Sequence, residues 1–326
     1  MKTAMDETAM TTTTIGSTFD PKDFDSKTFD PEIGAPVWLG PQVRRVTAPN
    51  AGPLTFRGTN SYIVGRGEVA VIDPGPDEPA HIAALLAATA GERISTIILT
   101  HSHRDHSAAA PKLSAQTGAP IHAGGRHGAA RAAWPGESNR LESGGDDMVA
   151  PDHILADGAR LGGPGWMLQA IATPGHAANH IALALEGSDM LFSGDHVMGW
   201  STTLVAPPDG VMADYTRSLD ILAARAETIY LPGHGAAITN APAFARALKA
   251  HRLLREAAIV SRIERGDRTI ADIVAVLYRE TPTVLHAAAS LSVLAHIEDL
   301  VARGRVIILS GEGLSANYAI ATGEKP

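Results

Sequence analysis

The chain has 326 residues, 44% of them hydrophobic and 19% charged, which is enough apolar material for one large domain or one domain with an appendage. It contains no cysteine, so disulfides, thiolate metal ligands and a cysteine nucleophile are all excluded. A net charge of -8 excludes a wholesale nucleic-acid coat, although positions 243–310 hold 10 Lys+Arg against 7 Asp+Glu and leave room for a local basic face.

The opening stretch MKTAMDETAMTTTTIGSTFDPKDF carries acids early and has no apolar signal core. No window reaches the roughly 18 apolar residues of a membrane span, so the reading is a soluble, cytoplasmic protein without a membrane partner. Residues 1–36 are rich in Thr, Asp and Pro, with a loose Phe-Asp repeat, and are expected to form an N-terminal arm. Such an arm lies on the surface or clasps a second copy in a homodimer. From residue 42 the texture turns to strands: QVRRVTAP, NSYIVG and VAVIDPG are short, β-branched and bounded by Gly or Pro. DEPAHIAALLAATAG predicts a helix from near Asp77 that Gly91 stops. ISTIILT is a buried strand, and HSAAAPKLSAQTG a helix with Pro111 in its first turn. PIHAG, WMLQAIATPG, HIALALE and DMLFSGD are further strands. ADYTRSLDILAARA is helical, and TIYLPGHG is a strand running into a Gly-flanked loop. Alternating strands and helices, with several strands adjacent, imply a layered α/β protein with a mixed or two-sheet core.

After residue 242 the pattern changes. AFARALKAHRLLREAAIVSRIERG, TIADIVAVLYRE with Thr269 as its cap, and AAASLSVLAHIEDLVARG read as three helices; RVIIL and LSANYAIA follow as a hairpin. Three helices and a hairpin are the inventory of a winged helix. The expected organisation is an arm over 1–36, a layered α/β domain over 37–242 and a winged-helix-like domain over 243–326.

The chemistry is concentrated in IILTHSHRDHSAAA. His101, His103, Asp105 and His106 directly follow a buried strand. His is the commonest metal ligand near neutral pH, and a loop after a strand lets side chains two positions apart converge. His101 and His103 can grip one ion, and Asp105 and His106 a second. A single zinc takes about four ligands, so further ligands must come from downstream strand ends. TPGH supplies His176, SGDH supplies Asp195 and PGHG supplies His234, each after an apolar run and beside Gly.

THSHRDH, TPGH, SGDH and PGHG, in this order, resemble the metallo-β-lactamase superfamily over residues of about 40–240. The resemblance implies an αββα sandwich with the site at one edge. It also implies that His101, His103 and His176 hold a first metal, that Asp105, His106 and His234 hold a second, and that Asp195 bridges the two. Zinc is the expected metal, with iron or manganese as alternatives. Two divalent ions would make a shared water reactive near neutral pH and polarise the oxygen under attack. Asp105 would orient that water as well as bind its metal, and His180, four residues after His176, is the candidate acid for the leaving group. Tyr62 and Asn60 in GTNSYIVG are candidates for lining the site. Asp73 in VIDPG is expected to support the ligand loops rather than touch substrate.

Asp195 stands where the class B1 β-lactamases have Cys, which favours the broader branch of thioesterases, lactonases and nucleases. GTNSYIVG, DYTRSLDIL, IYLPGHG, ITNA, HRLLREAAI and TPTVLHAAASLSVLAHIEDLVARGRV together resemble the β-lactamase-like protein 2 family, which joins this hydrolase to a winged helix. That resemblance makes phosphodiester hydrolysis of single-stranded RNA the favoured reaction, with a small-molecule thioester, lactone or β-lactam as the alternative substrate. A winged-helix adaptor with a decayed metal site is the non-enzymatic alternative. Arg252, Arg255, Arg262 and Arg265 on one helix would aid nucleic-acid binding, but Glu256, Glu264 and Asp267 are interleaved with them. His286 and His296 are read as packing or rim residues.

Overall fold

The computed structural model describes residues 29–134, 137 and 144–321. Residues 1–28 of the expected arm lie outside the described residues. The remainder leads straight into the first strand, with Phe29 stacked on Phe56 at 6.3 Å and the Arg45 guanidinium 4.7 Å from the Phe29 ring.

Seven strands form the first sheet in chain order: β1 (Pro36–Gly40), β2 (Val43–Thr47), β3 (Asn60–Arg66), β4 (Glu68–Ile72), β5 (Arg93–Leu99), β6 (Ile121–Ala123) and β7 (His153–Ile154). β1 to β4 are antiparallel, while β4 to β7 run parallel. Parallel connections need crossovers. Here α1 (Pro79–Ala88) supplies the first, and α2 (Arg104–Ser107) with α3 (Ala110–Thr117) the second. The second sheet holds β8 (Arg160–Gly163), β9 (Trp166–Ala172), β10 (Ile181–Leu185), β11 (Met190–Gly194), β12 (Ile229–Pro232) and β13 (Ile238–Thr239), with only the β11–β12 pair parallel.

Strand side chains alternate between faces, and both faces here are buried. Val69, Val71, Ile97 and Leu99 pack outward under α1 and α3. Ala70, Ile72 and Ile98 point inward, against Leu168, Ile181, Leu183, Phe192 and Leu231 of the second sheet. On that sheet's far side Ala182, Ala184, Leu191 and Tyr230 meet α4 (Met212–Ala223) and the start of α5 (Ala241–Glu264). Two sheets between two helical layers make an αββα sandwich, as expected. The near-continuous apolar runs of the central strands have this as their cause.

The long helix α5 belongs to two cores. Ala245 and Leu248 pack on the sandwich, whereas Ile259, Val260 and Ile263 join α6 (Ile270–Leu277), α7 (His286–Ala302) and the hairpin of β14 (Val306–Ser310) and β15 (Asn317–Ile320). Three helices and a wing therefore close the chain. Thr283–Ala302 is long and apolar enough to span a membrane by composition, contrary to expectation, but half of it is buried and Val293, Leu294, Ile297 and Leu300 fill this C-terminal core.

The helix expected across HSAAAPKLSAQTG is two helices. Pro111 cannot donate to the preceding turn, so α2 ends at Ser107 and α3 begins at Ala110 with the proline in its first turn. Thr269 caps α6 as expected. Its hydroxyl accepts the Asp272 amide at 3.1 Å, and the Asp272 carboxylate accepts the Thr269 amide at 3.2 Å. Replacing Thr269 by Ala removes this reciprocal cap and should cost about 1 kcal/mol. A thermal melt should fall by about 2–4 °C with metal content unchanged, and an unchanged melting temperature would show the cap to be idle.

Candidate metal centre

The strands that feed the site all point the same way. β4 and β5 end at one edge of the first sheet; β9, β11 and β12 end at the facing edge of the second. The two edges are stitched together. Ile181 N donates to Thr100 O at 2.8 Å, and Asn60 N donates to Gly233 O at 2.7 Å. After β5, the single turn of α2 closes on His103, whose carbonyl accepts the amides of His106 and Ser107. That turn throws Asp105 and His106 to the same side as His101 and His103. Gly233, before His234, is required by close approach: a Cβ there would lie 2.3 Å from Asp195 Oδ1 and 2.5 Å from His106 Cε1.

All seven expected ligand residues come together. His103 Nδ1 lies 3.0 Å from His101 Nε2 and 2.9 Å from His176 Nε2. Asp105 Oδ2 is 3.2 Å from His234 Nε2, and the Asp195 carboxylate lies 3.3 Å from His234 Nε2 and 3.4 Å from His106 Nε2. Three sets, His101/His103/His176, His101/His106/Asp195 and Asp105/His106/His234, each keep their donor atoms within 4.8 Å of one another.

Outer hydrogen bonds fix which nitrogen faces inward. His176 Nδ1 donates to Leu204 O at 2.6 Å and His234 Nδ1 to Gly58 O at 3.2 Å. His103 Nε2 donates to Asp209 Oδ2 at 3.0 Å, and His106 Nδ1 to Asp73 Oδ2 at 2.9 Å. The Thr100 hydroxyl spends its proton on Asp73 Oδ2, so its oxygen accepts His101 Nδ1–H at 3.0 Å. In the first triad three ring lone pairs thus face one another with no donor among them. Among the described residues Asp105 Oδ1 is buried and accepts no hydrogen bond, and Asp195 Oδ1 is buried with only the 3.4 Å approach of His106 Nε2. Opposed lone pairs and bare carboxylate oxygens lack only a cation, and a His/Asp set of this kind suits zinc, iron or manganese.

Burial is the largest influence on His101, Asp105, His106, His176, Asp195 and His234, and disfavours the charge of each. It prevails at His101, held well below the ordinary imidazole range with the help of neighbouring imidazoles, and at His176, lowered to about 4. At His106 and His234 the carboxylates of Asp195 and Asp105 outweigh burial. They hold His106 well above its ordinary value and raise His234 to about 9. The same attraction overcomes burial at Asp105, lowered to about 2, and at Asp195, held well below the carboxylate range. Without metal, His101 and His176 are therefore neutral, while His106 and His234 keep protons as internal counter-charges.

Three expectations need correction. His180 does not reach the cavity. It is 1% exposed, accepts or donates at Nδ1 to Thr173 Oγ1 at 2.8 Å, and packs behind His101 at a ring separation of 5.2 Å. Burial and the adjacent His196 also hold it neutral, so it lacks both the access and the proton of a general acid. Asn60 and Tyr62 do not line the site. Asn60 Nδ2 donates to Pro232 O and Gly235 O, and Tyr62 Oη donates to Pro232 O at 2.7 Å, so both tie down the loop that carries His234. Asp73 supports the ligands as expected: Oδ1 accepts the Thr100 amide at 2.7 Å, and Oδ2 takes Thr100 and His106.

Sequence reasoning missed Asp209, which orients His103 and also accepts the Ala178 amide at 2.9 Å. It sits in PPDG and reads as an ordinary turn. It also missed a cavity of about 280 Å³ above the cluster. His103, Asp105, His176 and Asp195 form its floor; Met198 to Leu204 form one wall; and residues of α5, α7 and the segment after α6, including Arg252, Arg255, Tyr278 and Leu285, form the other.

Comparison with known proteins bears on both parts of the chain. Residues 54–234 match the model of the metallo-beta-lactamase superfamily, and residues 269–312 that of the beta-lactamase associated winged helix domain. A beta-lactamase-like protein 2 homolog of Caenorhabditis elegans is 29% identical over 82% of this chain and 87% of its own length. An atrochrysone carboxyl ACP thioesterase of Aspergillus chevalieri is 31% identical over 74% of this chain and 75% of its own. Among solved structures, a metallo-beta-lactamase family protein from Thermus thermophilus superposes with a TM-score of 0.71 at 26% identity, covering 87% of this chain and 100% of that one.

The protons held on the carboxylate-rich half give a stability signature. His234 is raised from 6.5 to about 9, so in metal-free protein its contribution is full below pH 6.5 and is lost as the pH rises through about 9. The melting temperature of chelator-stripped protein should fall across that window, while metal-replete protein, in which a cation replaces the protons, should fall less. Equal pH dependence of the two forms would contradict the assignment.

Proposed function

The chain belongs to the metallo-beta-lactamase superfamily, whose hydrolase domain it joins to the associated winged helix, and from that premise we propose that it hydrolyses acyl thioesters at a two-metal centre. His101, His103 and His176 would hold one ion, Asp105, His106 and His234 the other, and Asp195 would serve both. Divalent ions at these residues, zinc being the expected one, supply Lewis acidity that polarises an acyl carbonyl and makes water acidic near neutral pH.

The observation that carries the thioester reading is the cavity. It is a half-open cleft between loops and helices, about 280 Å³ in volume, and walled in part by Leu54, Met198, Leu204 and Leu285. That is a place for an acyl chain rather than for a polynucleotide strand. Of the four arginines that would aid nucleic-acid binding, two line this cavity, and a third, Arg262, is paired with the interleaved Asp267 at 2.6 Å. The wing-side arginines are paired too: Arg303 with Glu256 and Asp299, Arg305 with Glu256. The Aspergillus chevalieri relative, named for a thioesterase activity, points the same way, so the phosphodiester reading takes second place. The adaptor reading is weaker still, since all seven residues and their outer partners are in place.

The chain's own residues account for the proton. Asp105 lines the cavity, and its carboxylate would accept the proton of the attacking water. A C–O bond forms at the acyl carbon, the C–S bond breaks, and the proton passes from Asp105 to the departing sulfur. A thiol of pKa about 8.5 leaves as thiolate with less assistance than an alkoxide. This suits a site in which His180 is shut away from the substrate. Asp209 holds His103, Asp73 holds His106, and neither moves a proton.

Metal-replete protein offered a panel of acyl thioesters, an acyl-homoserine lactone, nitrocefin, bis-p-nitrophenyl phosphate and single-stranded RNA should turn over thioesters fastest. Diesterase or RNA cleavage outpacing every thioester would reverse the ranking. Asp105→Ala should lose about a hundredfold or more in kcat, because it removes both a ligand and the proton acceptor. Near-native turnover with full metal content would remove Asp105 from the reaction.

A further inference from the structure

Arg252 is an unusual wall for a site whose floor is built of carboxylates. It stands on α5, is only 3% exposed, and lines the cavity with Arg255 one turn further on. A buried guanidinium is expensive unless a carboxylate or several hydrogen bonds compensate it. Among the described residues Arg252 forms no ion pair. Its Nη2 donates to Thr203 O, its guanidinium carbon lies 5.2 Å from the Tyr215 ring, and its Nε is buried without a partner. The titratable groups that feel its charge are bases: His196, His251 and His296, each held low by burial and further by Arg252. Arg255 likewise forms no ion pair among the described residues; it donates to Leu277 O at 3.2 Å and lies 4.5 Å from the Tyr278 ring. The carboxylates of the floor are engaged with the imidazoles of the cluster. Two guanidinium groups thus line the same cavity with no carboxylate paired to them among the described residues.

We propose that Arg252 and Arg255 form an anion subsite, which receives an oxyanionic group, carboxylate or phosphate, carried by the substrate. Guanidinium groups bind both in bidentate fashion, and they do so most strongly where water is excluded. The apolar residues between floor and wall would take the chain joining that anion to the hydrolysed bond. The inference rests on the thioester reading for the identity of the reacting bond, although the subsite itself does not depend on it.

The test compares three thioesters on metal-loaded full-length protein: pentanoyl-N-acetylcysteamine, which is neutral; glutaryl-N-acetylcysteamine, with a carboxylate on the acyl side; and pentanoyl-phosphopantetheine, with a phosphate on the thiol side. In the wild type one anionic substrate should exceed the neutral one in kcat/KM by about tenfold or more, and which one does so identifies the source of the anion. In Arg255→Gln and Arg252→Gln this ratio should collapse towards one, and Arg252→Lys should restore part of it. A ratio that survives in folded variants, or that is absent from the wild type, overturns the proposal. Calorimetric binding of glutarate and of inorganic phosphate to the wild type and Arg255→Gln, at matched metal content, separates the two readings. Loss of anion affinity in the variant with no thioester turned over leaves the subsite standing and removes the thioesterase. Thioester turnover with unchanged ratio and unchanged anion affinity does the reverse.

Discussion

Each imidazole of the cluster donates one ring proton outward and turns its other nitrogen inward, and the arrangement of the molecule depends on that division. The outward acceptors are Asp73, Thr100, Asp209, Leu204 O and Gly58 O, drawn from segments far apart in the chain. A ring so tethered cannot rotate its lone pair away from its neighbours. Repulsion between facing lone pairs is then stored until a cation relieves it, while proton transfer to the carboxylate-rich half relieves it only in part. Folding and metal uptake are linked through the same hydrogen bonds.

The sandwich explains why this happens at one edge and nowhere else. Its central strands bury both faces, so a polar side chain within a strand would face either the inter-sheet layer or a helical layer. Loops beyond the strand ends are the first positions where a carboxylate can be held by polar partners. Aligning β4, β5, β9, β11 and β12 brings five such loops to a single rim. There the low polarity that makes an unpaired charge costly also strengthens every paired one.

Much of this was legible because the two kinds of signal coincide in sequence: an apolar run, then Gly beside His or Asp. His176, Asp195 and His234 could be found in this way, as could the central strands that deliver them. Short edge strands were not legible. β1, β7, β8 and β13 have two to five residues and little apolar alternation, and they exist because a neighbouring strand offers hydrogen bonds. Asp209 lies 106 positions from the ring it orients, and no local pattern marks such a pair. His180 misled for the opposite reason. Its spacing from His176 suggests a shared site, but Thr173 N bonds His180 O and folds the chain back, so its ring enters the layer behind the ligands. Asn60 and Tyr62 likewise belong to a motif whose task is to clamp the Pro232–Gly235 loop.

The C-terminal helices carry a further consequence. Read along the sequence, Arg252, Arg255 and Arg262 are three cations on one helix; in space they have three different environments. Arg262 meets Asp267 at the surface, Arg255 lies against Tyr278, and Arg252 is buried against Thr203 in the cavity wall. A nucleic-acid face needs exposed, unpaired cations that can displace counterions, and a guanidinium buried in a cavity wall displaces none. What it does instead is raise the potential of the cavity it lines. Because α5 packs on the sandwich through Ala245 and Leu248 and on the winged helix through Ile259 and Ile263, that space is fixed relative to the metal residues by a single rigid rod. α5 and the segment after α6 thereby form the second wall of the cavity, and the distance between Arg252, Arg255 and the metal-centre residues becomes a property of the fold rather than of a mobile lid.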